Sequence, residues 1–268
     1  RKSGVIDEQI ISIRFEEFDN EPLKDAKELY AYIKEHLVAD KQNYIFLDEV
    51  QLVDEYEKVV NSLYLRKNVD IYLTGSNSHM LSGELATLLS GRYVTIRVFP
   101  LSLAEYATRH DGYSMDVYNN YTDTSSFPYA LQIKDNRQLQ MYLQDIYNTV
   151  IMRDVVQHNK VDNINMLVRL SRFLADNIGN LNSSKRIADT LTSAGSKANS
   201  HTIDAYLRYL CEAYMFYPVR RYDIKGNDFL RISQKYYIAD IGLRHMLLGR
   251  RNIDRGRVLE NVVYLELR

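Results

Sequence analysis

The amino-acid sequence predicts an α/β protein: a parallel sheet flanked by helices over the first hundred or so residues, then a mostly helical region carrying a helix–turn–helix–hairpin module. Three observations carry this reading. The run Tyr44-Ile45-Phe46-Leu47 is unbroken in its apolar character and ends in Asp48-Glu49, as expected of a parallel strand covered on both faces. Short apolar runs alternate with helical spacing up to Pro100, the pattern of strands joined by crossover helices. Beyond Pro100 the helical period dominates.

Taken in order, Ile10–Phe15 reads as the first strand. A helix follows with Pro22 near its start, where the missing N–H costs nothing. Leu23, Ala26, Tyr30, Ile33 and Leu37 give it one apolar face. Tyr44–Leu47 is the second strand, and Val53, Tyr56, Val60 and Leu63 mark the next amphipathic helix. Val69–Thr74 is a third strand and Tyr93–Val98 a fourth. The polar, Tyr/Asn-rich stretch Asp111–Ser126 reads as a loop with room for one short helix. Leu139, Tyr142, Leu143, Ile146 and Val150 share a helical face, and Met166–Ile178 forms another helix ending near Gly179. Ser183–Leu191, a Gly/Ser/Ala turn over Thr192–Asn199 and Ser200–Leu210 read as helix, turn, helix. Phe216–Tyr222 and Phe229–Ile232 read as a hairpin around Lys225-Gly226-Asn227-Asp228. The expected division is residues 1–110, 111–180, 181–255 and 256–268.

Composition narrows the classes. The chain has 268 residues, 46% hydrophobic and 26% charged, which is ordinary for a globular protein. No apolar run approaches the roughly 18 residues of a membrane span, and Arg1–Gln9 is unlike a signal peptide. Cys211 is the only cysteine. That excludes an internal disulfide framework and a cysteine-based zinc site, and fits a reducing cytoplasm. The six histidines show no ligand spacing. The 22 tyrosines fall largely on helical apolar faces, as core or interface residues. The net charge of −1 hides a gradient: residues 1–110 hold 13 basic and 18 acidic side chains, residues 181–268 hold 15 and 9. The basic third is either a solvated face or a surface for nucleic acid.

Two acids at the carboxyl end of a buried parallel strand lie where open α/β sheets bind ligands. Nucleotide hydrolases need both there, one for Mg²⁺ and one to orient the attacking water. Asp48 and Glu49 are therefore the candidates for metal and water. Strand Asp70–Thr74 leads into Gly75-Ser76-Asn77-Ser78, so Ser76 or Asn77 could touch the γ-phosphate or the water; the plainer role is to cap the next helix. Arg92, in Leu89-Ser90-Gly91-Arg92, could neutralise phosphoryl charge; the plainer role is a surface ion pair.

The motifs Tyr-Ile-Phe-Leu-Asp-Glu-Val-Gln (44–51), Leu-Thr-Gly-Ser-Asn (73–77), Leu-Ser-Gly-Arg-Tyr (89–93) and Pro-Leu-Ser-Leu-Ala-Glu-Tyr (100–106) together resemble the bacterial and archaeal AAA-type ATPases of the "ATP-binding protein" group. The resemblance implies a P-loop ATPase core, a helical lid region, a winged-helix domain and, from about residue 256, the start of a nuclease-like domain. It implies ATP and Mg²⁺ as ligands, Asp48 on the metal, Glu49 on the water, Ser76 or Asn77 as sensor, and Arg92 acting on a neighbouring subunit, with ring assembly as a family-level possibility. Glu260 matches the first acidic position of the nuclease-like domain; taken alone, it reads as a helix surface or packing residue. A winged helix takes either duplex DNA or a protein partner. For DNA, Lys185, Arg186, Lys197, Arg208 and Lys225 are the phosphate-contacting candidates.

One element of the pattern is missing. No G-x-x-x-x-G-K-[ST] loop occurs in these 268 residues. The expectation is that the natural protein carries that loop upstream, on a strand lying between the Asp48 strand and the Asp70 strand, and that the chain as given binds ATP weakly or not at all. Two further readings remain beside Mg²⁺-dependent ATP hydrolysis: a DNA-binding regulator with vestigial hydrolysis, and the ATPase arm of a nuclease-linked defence or toxin system.

Overall fold

The computed structural model describes residues 4–75, 91–110, 112–157, 159, 161–220, 233–249 and 254–268. It resolves into two compact units, residues 1–96 and 97–268.

In the first unit, strands β1 (Ile10–Arg14), β2 (Asn43–Asp48) and β3 (Val69–Leu73) form a parallel sheet in the order β1-β2-β3. Ile10 faces Tyr44 and Arg14 faces Asp48; Asn43 faces Val69 and Leu47 faces Leu73. Helices α1 (Ala26–His36) and α2 (Tyr56–Tyr64) are the crossovers. Asp25 caps α1 through Lys27 N and Glu28 N, and Leu29, Ile33, Val59, Val60 and Leu63 meet Ile11, Ile13, Ile45 and Leu47 in the core. The side chain of Asn43, fully buried, closes the turn before β2 by bonding to Val38 N and O and to Lys41 O.

Three expectations need correction. Strand β2 is not covered on both faces. Ile45 and Leu47 are buried, but Phe46 is 38% exposed and stacks on Tyr72 of β3, ring centroids 4.7 Å apart; among the described residues the helices cover one face only. Second, no strand lies between β2 and β3, which bond directly. Among the described residues β1 and β3 are the two edges of the sheet, so a further strand can pair only at an outer edge and not between β2 and β3. Third, Tyr93–Val98 forms no strand among the described residues. Val94, Ile96 and Val98 are 88%, 80% and 91% exposed. Val94, Ile96 and Val98 alternate as strand residues do, but a strand needs a ladder partner.

In the second unit, α3 (Leu103–Ala107), α4 (Met115–Asp123), α5 (Asn136–Thr149) with its π-helical continuation Val150–Gln157, and α6 (Ile164–Asp176) precede the pair α7 (Ser184–Ser193) and α8 (Ser200–Glu212). Strands β4 (Phe216–Arg220) and β5 (Gln234–Ile238) run antiparallel, then α9 (Ile241–Leu248) and α10 (Arg255–Glu266) end the chain. The expected hairpin is thus displaced. The partner of Phe216 is Ile238 and that of Arg220 is Gln234, whereas Phe229–Ile232 lies outside the described residues. Asn182 bridges to Gln234 on the other side of β5. Leu143, Leu167, Leu170, Leu174, Ile187, Ile203, Leu210 and Phe216 centre the core.

Two features lock α9 and α10. Asp240 caps α9 through Leu243 N at 2.7 Å, while its other oxygen accepts from Ser125 Oγ, Ser126 N and Ser126 Oγ at 3.0, 2.6 and 2.7 Å. The side-chain amide of Asn261, fully buried, pairs with Ile238 N and O at 2.9 and 3.0 Å, imitating a strand neighbour for β5. Next to it, Glu260 accepts from Lys235 Nζ and Tyr237 OH, both at 2.6 Å. Burial raises the Glu260 carboxyl, but these two bonds and the lysine charge outweigh it and hold the group below the usual range. The contribution is fully present above the unfolded value of about 4.3 and lost as pH falls through the depressed folded value. With the two side chains 36% and 41% exposed, it should be worth less than about 1 kcal/mol. Thermal midpoints measured down an acid series should fall less steeply for Glu260→Gln than for the parent chain.

Candidate functional site

The carboxyl end of the three-stranded sheet gathers the sequence-predicted acids. Asp48 is the last residue of β2 and half-buried. Glu49 follows in the left-handed region, φ 56° and ψ 45°, and starts the 3-10 turn Val50–Leu52. The turn is pinned from below: Val50 is fully buried and its N–H donates to Thr74 O at 3.1 Å. Thr74 N–H donates to Leu47 O at 3.0 Å, continuing the ladder past β3.

Thr74 links the two acids. Its hydroxyl donates to Asp48 Oδ1 and accepts from Glu49 N at 3.2 Å. Gln51 completes the group, its Nε2 donating to Glu49 Oε2 at 2.5 Å. The Gln51 carbonyl oxygen is buried and has no partner among the described residues. Arg14, opposite Asp48 in register, brings a cation to the same edge, where it meets Glu17 at 3.4 Å.

Asp48 and Glu49, consecutive in the sequence, stand at the carboxyl end of β2. Thr74 and Gln51 were legible only as members of their motifs, because their roles depend on a neighbouring strand and a tight turn. Ser76 and Asn77 lie outside the described residues. The Arg92 guanidinium sits 5.7 Å from the ring of Tyr64, the last residue of α2. Because α2 returns the chain from the carboxyl end of β2 to the start of β3, that places Arg92 at the opposite end of the sheet from Asp48.

The acid pair suits a hard cation. Among the described residues no group of three or more His, Cys, Asp or Glu could cage a metal. Mg²⁺ does not need such a cage, since it keeps several waters and takes one or two carboxylates with substrate phosphates.

The basic candidates of the second unit are spread out. Lys185 and Arg186 are exposed on the first turn of α7, behind the cap Ser183, and Lys197 is exposed in the turn before α8. Arg208 lies 3.8 Å from Glu212 and 5.3 Å from the Tyr209 ring. Lys225 lies outside the described residues. No helix among the described residues is long and apolar enough to cross a membrane.

Comparison with known proteins divides the chain in two. Residues 3–107 match the family model described as an AAA domain. Residues 115–254, more than half of the chain, match a domain of unknown function, DUF8612. An uncharacterized protein of Haemophilus influenzae is 37% identical over all of this chain and 68% of its own length. An uncharacterized protein of Methanocaldococcus jannaschii is 30% identical over 98% of this chain and 58% of its own length. Among solved structures, a Walker-type ATPase of Pyrococcus abyssi is similar over 82% of this chain and 66% of its own, at 18% identity and a TM-score of 0.47.

Proposed function

We propose that this chain, which belongs to the DUF8612 family and carries an AAA domain ahead of that region, is part of a Mg²⁺-dependent ATPase. The observation that carries the reading is the Asp48–Glu49 pair at the carboxyl end of a parallel strand, linked through the threonine that directly follows the adjacent strand. Asp48 offers a half-exposed carboxylate for Mg²⁺, through a bound water or directly. When bound, Mg²⁺ would offset the negative charge of the phosphates. Glu49 orients a water against the γ-phosphorus and takes up its proton as the bond to the β,γ-bridging oxygen breaks, giving ADP and phosphate. The left-handed turn holds the Glu49 carboxylate at the rim of the sheet, and Thr74 keeps Asp48 from swinging into it.

A phosphate-cradling loop is still required. The outer edge of β3, unpaired among the described residues, is a ready place for one more parallel strand carrying it, and the exposed face around Phe46 and Tyr72 is a place for its helix. The exposed alternating segment Tyr93–Val98 would then gain the ladder partner it lacks.

In the second unit, α6, the Asn182 bridge, α7, α8 and the β4–β5 pair follow the element order of a winged helix. We read it as the output module of the ATPase. The exposed face of α8 bears His201, Asp204 and Arg208, and Arg208 faces Glu212. That face is not strongly basic, so duplex DNA, if bound, would be held by phosphate contacts from Lys185, Arg186, Lys197 and Lys225.

The test is steady-state ATP hydrolysis by the full-length protein, with and without duplex DNA at low ionic strength. Magnesium-dependent turnover supports the ATPase reading, and no turnover sinks it. Stimulation by DNA that fades with salt supports the nucleic-acid partner, with a loss in log affinity of about 0.9 per decade of salt for each phosphate contact. No DNA effect at low salt leaves a protein partner for the winged helix.

A further inference from the structure

The least explained polar atom near the acid pair is the carbonyl oxygen of Gln51. It is buried without a partner among the described residues, and such an atom typically costs about 1–3 kcal/mol. Folding alone gives no reason to keep it, because an apolar side chain of the same length would fill the space without that cost. The other end of the same amide explains it. Nε2 reaches Glu49 Oε2 at 2.5 Å. Turning the amide over would satisfy neither end, since it would set two oxygens against each other beside a carboxylate. The orientation is therefore fixed by Glu49.

Resting on the ATPase reading, we infer that Gln51 is a positioning residue for Glu49. Glutamate has three side-chain torsions, and a base that must meet one water cannot be left to sample them. The turn supplies what a distant residue could not. Val50 is buried and bonded to Thr74 O, which places residue 51 two positions from the acid on a fixed backbone. The amide then holds one carboxylate oxygen and leaves the direction of the other defined. A misplacement of about 1 Å can cost about 100-fold in rate, so losing this bond should show in turnover and not in binding.

The experiment compares the full-length protein with Gln51→Met, which keeps the length and removes both polar atoms, with Gln51→Asn, which keeps the amide one methylene too far back, and with each combined with Glu49→Gln. Both single variants should lose at least about tenfold in kcat with KM for ATP within about twofold. Gln51→Met should keep or raise the thermal midpoint, because the orphaned oxygen is gone. Neither should lower the residual turnover of Glu49→Gln further, since no carboxylate is left to position. Unchanged kcat, or an equal fractional loss in both backgrounds, overturns the inference while leaving the ATPase standing. A parent protein that does not hydrolyse ATP overturns both.

Discussion

If the protein is the ATPase proposed above, replacing Glu49 by glutamine should leave ATP binding intact and lower turnover by about 100-fold or more. The substitution is nearly isosteric, and the two bonds described above have counterparts. The Glu49 N–H to Thr74 Oγ1 bond is a backbone bond and survives. The Gln51 amide still finds an oxygen, the carbonyl of the new side chain. The left-handed backbone at position 49 strains glutamine as it strains glutamate, so the folded state is not penalised. What is lost is the proton acceptor. Nucleotide affinity measured by equilibrium binding beside turnover separates this from a folding defect. Equal turnover in parent and variant would remove Glu49 from the chemistry.

The second large effect lies in the other unit. Gly242→Ala should destabilise it by about 3 kcal/mol or more, at the upper end of overpacking costs. A Cβ there would overlap the carbonyl oxygen of Thr124 and come within 2.8 Å of Asp240 Oδ1 and 2.9 Å of Ser125 Cβ. None of the three can yield cheaply. Thr124 O is backbone, and Asp240 is held by four hydrogen bonds. At 2–4 °C per kcal/mol for a unit of this size, the thermal midpoint should fall by about 6–12 °C. Asp240→Asn attacks the same junction from the other side. Burial pushes the Asp240 carboxyl up, against bonds that lower it. Its linked stability is therefore present below the ordinary aspartate value of about 3.9 and lost as pH rises through the raised folded value. Asparagine removes the buried charge, yet it must turn an NH₂ toward either Ser126 N–H or Leu243 N–H, leaving a donor facing a donor. The cost should be about 1–3 kcal/mol at neutral pH. An unchanged midpoint in both variants would mean that the 124–126 turn moves aside freely.

Much of the first unit was legible because its apolar residues sit at one period per element. Ile11, Ile13, Ile45 and Leu47 alternate, while Leu29 and Ile33, then Val59, Val60 and Leu63, follow the helix. The same period is present at Tyr93–Val98, where it says what a segment could pair with, not whether a partner is present. Strand β5 was missed for the opposite reason. Tyr236, Tyr237 and Ile238 are all buried: Tyr236 and Ile238 face the core, while Tyr237 stacks on Tyr264 and bonds Glu260. No alternation survives, and the more strand-like Phe229–Ile232 took its place in the reading. Asp48 and Glu49 announced themselves by standing at the end of an apolar run. Thr74 and Gln51 did not, because a threonine after a strand and a glutamine in a turn are unremarkable until the register β2 to β3 is known. Asp240 and Gly242 carry no signal in the sequence, and only the approach of residues 124–126 reveals what they do.

The left-handed backbone at Glu49 also bears on how variants of this protein should be selected. Glycine occupies that conformation without the steric cost a Cβ brings, a cost of about 1–2 kcal/mol, though it gives back about half of that in unfolded-chain entropy. Ranking substitutions by melting temperature or expression yield would therefore credit Glu49→Gly with relief of its backbone, offset by the lost Gln51 bond, and would take no account of the carboxylate that the proposed function uses as its base. A consensus of stabilised variants would drift away from the acid for the same reason. Selection at this turn has to read product formed, since the residue is held there against the preference of its own backbone.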